Sequence, residues 1–119
     1  MMADEVRVTY NGQERNASLT TSPSVTQTVG GAYTNRSIAN LSGASETLMA
    51  ANASRRVLVI QNVATSPIAV NLTGGTAALN TAGSITIPAG GSITLDAYPP
   101  TSAITIIGTA NDDVTAFEG

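Results

Sequence analysis

The sequence contains no cysteine, no histidine, no lysine and no tryptophan, and a single phenylalanine. Each absence closes a class of explanation. Without cysteine there are no disulfides and no thiolate metal sites, so the fold must rest on its own core, which suits assembly in a reducing cytoplasm. With histidine, cysteine and lysine all missing, the usual base of near-neutral pKa, the activated thiol and the Schiff-base amine are missing too. Nucleophilic triads are excluded on that ground. Paired carboxylates remain as a route to acid and base chemistry, with Glu46, Asp96, Asp112, Asp113 and Glu118 as the donors. Asp112 and Asp113 follow Asn111 in a turn sequence and Asp96 stands at a strand end, so these read as backbone caps and solvated ends. Asn111-Asp112-Asp113 also lacks the spaced acids of a calcium loop. The expectation is a non-enzymatic protein with no catalytic residue, no metal and no cofactor.

Long apolar runs are absent as well. The longest aliphatic stretch, Val57 to Ile60, falls far short of the roughly 20 residues that cross a bilayer. The start, Met1-Met2-Ala3-Asp4-Glu5, is acidic and no apolar segment of signal length follows it, so a soluble chain without a secretory signal is expected, with no membrane partner. All five basic residues are arginines, at positions 7, 15, 36, 55 and 56, against eight acids. A net charge of -3 without clustered bases argues against nucleic acid, whose phosphates demand them. From Val57 onward there are four acids and no base.

What the sequence does have is β chemistry. Its 42% hydrophobic share is mostly Ala, Val, Ile and Leu, charged residues make up only 11%, and Ser, Thr, Asn and Gly fill most of the rest. That mixture fits strands whose outward faces are hydroxylated. At 119 residues the chain is one domain with at most an arm, large enough to bury about two thirds of its unfolded surface.

Two textures divide it. Val6 to Tyr10 alternates like one strand and Asn11-Gly12 is a turn signal, but from Ala17 to Ser42 apolar residues are too sparse to offset the entropy of ordering. Residues 1–42 therefore read as an extended N-terminal arm that becomes ordered against a neighbouring subunit. Residues 43–119 read as a β-sandwich domain of jelly-roll type. Glu46 to Met49 suits a short strand or a helical turn. Val57 to Ile60 is apolar on both faces, as in a central strand covered on two sides. Alternating segments follow at Ile68 to Leu72, Ile85 to Ile87, Ile93 to Leu95, Ile104 to Ile106 and Val114 to Phe117. Between them stand turn sequences at Ala64 to Pro67, Thr73 to Gly75, Ala89 to Gly91, Tyr98 to Pro100 and Asn111 to Asp113. The cadence of about 8 to 12 residues is that of an all-β sandwich.

The phrase Arg55-Arg56-Val57-Leu58-Val59-Ile60-Gln61-Asn62, then Ile68 to Leu72, then Pro88-Ala89-Gly90-Gly91-Ser92 running to Asp96, then Val114 to Gly119, resembles a small β-domain of tailed-bacteriophage virion proteins. Capsid decoration (cement) proteins and the bases of head fibres or tail appendages carry such modules. The resemblance spans roughly residues 40 to 119. It implies a virion structural protein that binds major capsid protein subunits at the capsid surface, is assembled in the host cytoplasm, and forms a homo-oligomer, a trimer or dimer. The alternative it leaves open is a host-glycan-binding or anchoring module of a head fibre or tail appendage.

Partner-binding candidates follow from residue type. Val6, Val8, Tyr10 and Tyr33 are the apolar anchors available to an arm that adds a strand to its partner. Arg55 and Arg56 point to opposite faces of their strand, so one can meet an acidic groove on a partner while the other pairs with an acid of the closing strands. Gln61 and Asn62 end that strand, where a buried amide needs partners for both its donor and its acceptor. Tyr10, Tyr33 and Tyr98 are too scattered to form a stacking platform. Five N-x-[ST] sequences, at Asn16, Asn35, Asn40, Asn52 and Asn71, read as polar turns and not as glycosylation sites, given no expected route to the modifying enzymes.

Overall fold

The computed structural model describes residues 31–119, which form an all-β sandwich of two four-stranded antiparallel sheets. Its strands are β1 (Thr34–Asn35), β2 (Glu46–Met49), β3 (Leu58–Asn62), β4 (Ile68–Asn71), β5 (Ile85–Ile87), β6 (Ser92–Leu95), β7 (Ile104–Ile107) and β8 (Val114–Glu118). One sheet runs β1-β8-β3-β6 and the other β2-β7-β4-β5. The pairs β1 with β8, β2 with β7, β3 with β6 and β4 with β5 are those of one long hairpin bent at the β4–β5 connection. Rolling that hairpin up sets β8 beside β3 and β7 beside β4. This is the jelly-roll order. Among the described residues no helix is long and apolar enough to cross a membrane.

Alternation decides which side chains enter the core. In β3, Leu58, Ile60 and Asn62 are buried while Val59 and Gln61 face outward; β7 repeats the pattern with Ile104 and Ile106, and β8 with Val114 and Ala116. β3 is thus central within its sheet but covered on one face only, where its apolar run led to two being expected. The strand buried on both faces is β4, all four of whose residues are inside. The β4–β5 connection covers its outer side: Thr105 on the outward face of β7 donates its hydroxyl to the Gly75 carbonyl, and the amide of Ala77, 1% exposed, donates to the Ser45 hydroxyl oxygen at 2.9 Å. In β2 the register shifts between Thr47 and Met49, a bulge that lets the consecutive Leu48 and Met49 both face inward.

The sandwich begins earlier than the apolar pattern suggests. Within the stretch read as an arm, Thr34 and Asn35 pair with Glu118 and Phe117, Ile38 bridges Val114, and Leu41 is a core residue. Backbone bonds hold this segment, from Arg36 N to Ala116 O at 2.7 Å and from Ile38 N to Val114 O at 3.0 Å, and main-chain pairing leaves no trace in a hydrophobic pattern. Residues 1–30, including the strand expected at Val6 to Tyr10, lie outside the described residues.

The core is aliphatic throughout, so it fits by the shapes of branched side chains. Leu58 and Ile60 are fully buried, and replacing either with Ala is expected to lower stability by about 2 to 5 kcal/mol in a denaturant titration. Gly108, at the end of β7, admits no side chain: a Cβ there would stand 2.7 Å from Leu41 Cδ1 and 2.9 Å from Ile68 Cγ2. Gly108→Ala is therefore expected to cost about 1 to 3 kcal/mol by overpacking, read in the same titration.

Candidate functional site

The antiparallel registers put the β2–β3, β4–β5 and β6–β7 connections at one end of the sandwich, together with the start of β1 and the end of β8. The remaining connections lie at the other end. Ionic chemistry gathers at the first. Glu118, the last residue of β8, is 3% exposed and accepts from Arg55 Nε at 2.8 Å, Arg36 Nε at 2.7 Å and Asn52 Nδ2 at 3.3 Å. Burial pushes its carboxyl up, and the bonds from Arg55, Arg36 and Asn52 more than offset this, holding it below the ordinary glutamate value of 4.5.

Arg55 is the other half of this node. Its side chain has no exposed surface. Beyond Glu118 it donates Nη1 to the carbonyls of Pro100 and of Ser102, the latter at 3.0 Å, and Nη2 to the Ala50 carbonyl at 2.8 Å. One side chain thereby joins β8, the end of β2 and the β6–β7 connection. The reading of Arg55 as a partner-binding residue is corrected accordingly: every nitrogen of its guanidinium is engaged inside the domain, and it is the arginine that pairs with an acid of the closing strand. Arg56 points the other way and is exposed. Its amide donates to the Gly119 carbonyl at 2.7 Å. Tyr33, 64% exposed, lies over Gly119, where a Cβ would come within 2.7 Å of its ring. Tyr33 and Arg56 are thus brought to the same place beside Gly119. Val6, Val8 and Tyr10 lie outside the described residues.

Reasoning from residue types missed Arg36, Glu118 and Tyr98. Arg36 and Glu118 looked like isolated charges 82 positions apart, and only the β1–β8 pairing unites them. Tyr98 is 99% exposed and has φ +58°; the signal available was an aromatic set in a turn before two prolines. Among the described residues, four of the five exposed large apolar side chains, Tyr33, Leu79, Ile85 and Tyr98, belong to segments of this end, and Val63 belongs to the other. Among the described residues no group of three His, Cys, Asp or Glu could hold a metal ion.

The asparagines are turn devices. Asn35, Asn52 and Asn71 each accept, on Oδ1, the amide two residues on, at 2.9, 3.0 and 2.9 Å. That second residue is the Ser or Thr of the N-x-[ST] pattern in each case. Asn62 does the same with Ala64 at 2.9 Å and gives Nδ2 to the carbonyls of Ser66 and Ile87 at 2.8 and 3.1 Å. It is fully buried with both ends of its amide satisfied, and Gln61 is exposed.

Glu118→Gln would leave Arg55 buried without its counter-charge, and a loss of about 3 kcal/mol is expected. The pH dependence carries a sign. Because the folded-state value of Glu118 is depressed, its stabilisation is present above the ordinary glutamate pKa and is lost as pH falls through the folded value. Chemical denaturation from pH 6 downward is expected to show the wild type losing stability below about pH 4.5, with a shallower acid slope in Glu118→Gln.

No family model matches the sequence, and no curated protein does. Among solved structures, a chain from Bacillus endospore appendages, described as a novel family of disulfide-linked pili, is similar at 15% identity with a TM-score of 0.43, covering 80% of this chain and 92% of that one.

Proposed function

We propose that this chain is a non-enzymatic structural protein of a tailed-phage virion that decorates the capsid, binding across major capsid protein subunits as a homo-oligomer. The observation that carries the reading is the one-sided distribution of surface chemistry. Among the described residues, most of the exposed large apolar side chains belong to segments of the end where β1 begins and β8 finishes, and this reading places the partner contact there. Two charged groups there, Arg55 and Glu118, are spent on internal ties. The mechanism is linkage: a protein that binds the assembled shell and not its separated parts stabilises the shell by mass action, by about 2.7 kcal/mol per site at a hundredfold excess over Kd. In this reading residues 1–30 supply the arm, and main-chain pairing to the shell or to a sister subunit gives it affinity with little demand on side-chain identity.

Sedimentation of the purified protein with mature heads stripped of it, beside unexpanded proheads, tests the proposal. Saturable binding to mature heads at a fixed copy number per capsid subunit is the expected result. Absence of binding to both would sink the capsid assignment and turn attention to glycans of the host surface.

A further inference from the structure

The β6–β7 connection has its tip at Tyr98-Pro99-Pro100, and that tip combines two costly features. The Tyr98 ring is 99% exposed to water, and its backbone is left-handed, at φ +58°, a region that bulky L-residues avoid because Cβ crowds the following carbonyl. Nothing in the described fold uses the ring, since it touches almost none of it. Backbone strain of this kind persists only where the surroundings impose it.

Here they do. Arg55 holds the carbonyls of Pro100 and Ser102 from beneath. The Thr101 carbonyl accepts from Asn52 N at 2.8 Å, and the Ser102 hydroxyl donates to the Leu72 carbonyl at 2.6 Å. Three consecutive residues at the base of the loop are therefore fastened to the body, and two prolines fix φ between that base and the tyrosine. The backbone beside the ring is held, so docking need order little more than the two χ angles of Tyr98.

We propose that Tyr98 is a docking knob that enters an apolar pocket on a protein partner, a pocket with a neutral rim. A single convex ring matches a concave protein site, whereas sugars are held on platforms of several rings. The rim follows from charge: at this end of the sandwich, where the start of β3 pairs with the end of β6, Asp96 and Arg56 are both exposed and balance one another. The inference rests on the capsid reading above, in which the pocket belongs to the major capsid protein.

The test uses the full-length protein with stripped mature heads as the probe. Tyr98→Asn and Tyr98→Phe are compared with wild type by head sedimentation, thermal unfolding and sedimentation velocity. Asparagine tolerates the left-handed backbone, so Tyr98→Asn is expected to keep or raise Tm while binding heads at least about tenfold more weakly, as at a hot spot. Tyr98→Phe, which keeps the ring, is expected to bind within about threefold of wild type. The proposal is overturned by Tyr98→Asn binding as well as wild type, by Tyr98→Phe binding as poorly as Tyr98→Asn, or by a clear fall in Tm for Tyr98→Asn. Loss of self-association with head binding intact would also overturn it, assigning the loop to contacts between copies. Failure of the wild type to bind heads is a separate result, and it removes the capsid reading together with the pocket placed on it.

Discussion

Arg55 and Glu118 bring opposite charges within 2.8 Å of each other where solvent barely reaches, and the rest of that end is arranged so that neither is short of partners. Burying two charges costs several kcal/mol per ion, and their attraction repays this only when every remaining donor and acceptor is met. Here Arg55 takes backbone carbonyls from two connections, and Glu118 takes Arg36 and Asn52 besides. Arg36 contributes less, because its side chain is 43% exposed and screened by water. Removing one partner is therefore costly even where the pair as a whole adds little net stability.

Most of the strands were legible because sheets write their geometry at period two. Ile104-Thr105-Ile106 and Ile85-Thr86-Ile87 announce themselves, and the turns between such segments use Gly, Asn and Pro at the expected places. Three features were not legible. β1 and the segment that follows it are held by backbone bonds, and that following segment contributes Leu41 to the core from a stretch otherwise too polar to look folded. The double burial of β4 depends on where a long connection lies, which local pattern does not encode. The pairing of Arg55 with Glu118 spans 63 residues: the sequence predicts that one of Arg55 and Arg56 meets an acid of the closing strands, but which arginine and which acid is decided only once the hairpin is rolled.

The same division applies to the candidate site. Tyr33 and Arg56 sit at the surface, where residue type had suggested partner contacts, but Arg55 does not. Adjacent arginines alternate in direction, and sequence alone cannot say which faces the core. The asparagines show the reverse case. Their abundance beside Ser and Thr looks like a modification signal, yet Asn35, Asn52 and Asn71 each close a turn with the carboxamide oxygen. Asn71 is 7% exposed and also bonds Thr73, Gly75 and Thr76. A glycan there would displace the turn it depends on.

The rolled hairpin also orders events in time. In the sheet β1-β8-β3-β6, the latest made of the eight described strands, β8, sits between β1 and β3, so that sheet has an empty central slot until residues 114–118 have been made. Arg55 waits equally long for its counter-ion. A nascent chain stopped short of β8 leaves β1 without a partner and one edge of β3 open, features that invite aggregation or proteolysis. The domain thus discriminates against incomplete copies of itself. Contacts of such long sequence separation also place its closure among the slower folding reactions of small domains, on the order of milliseconds to seconds.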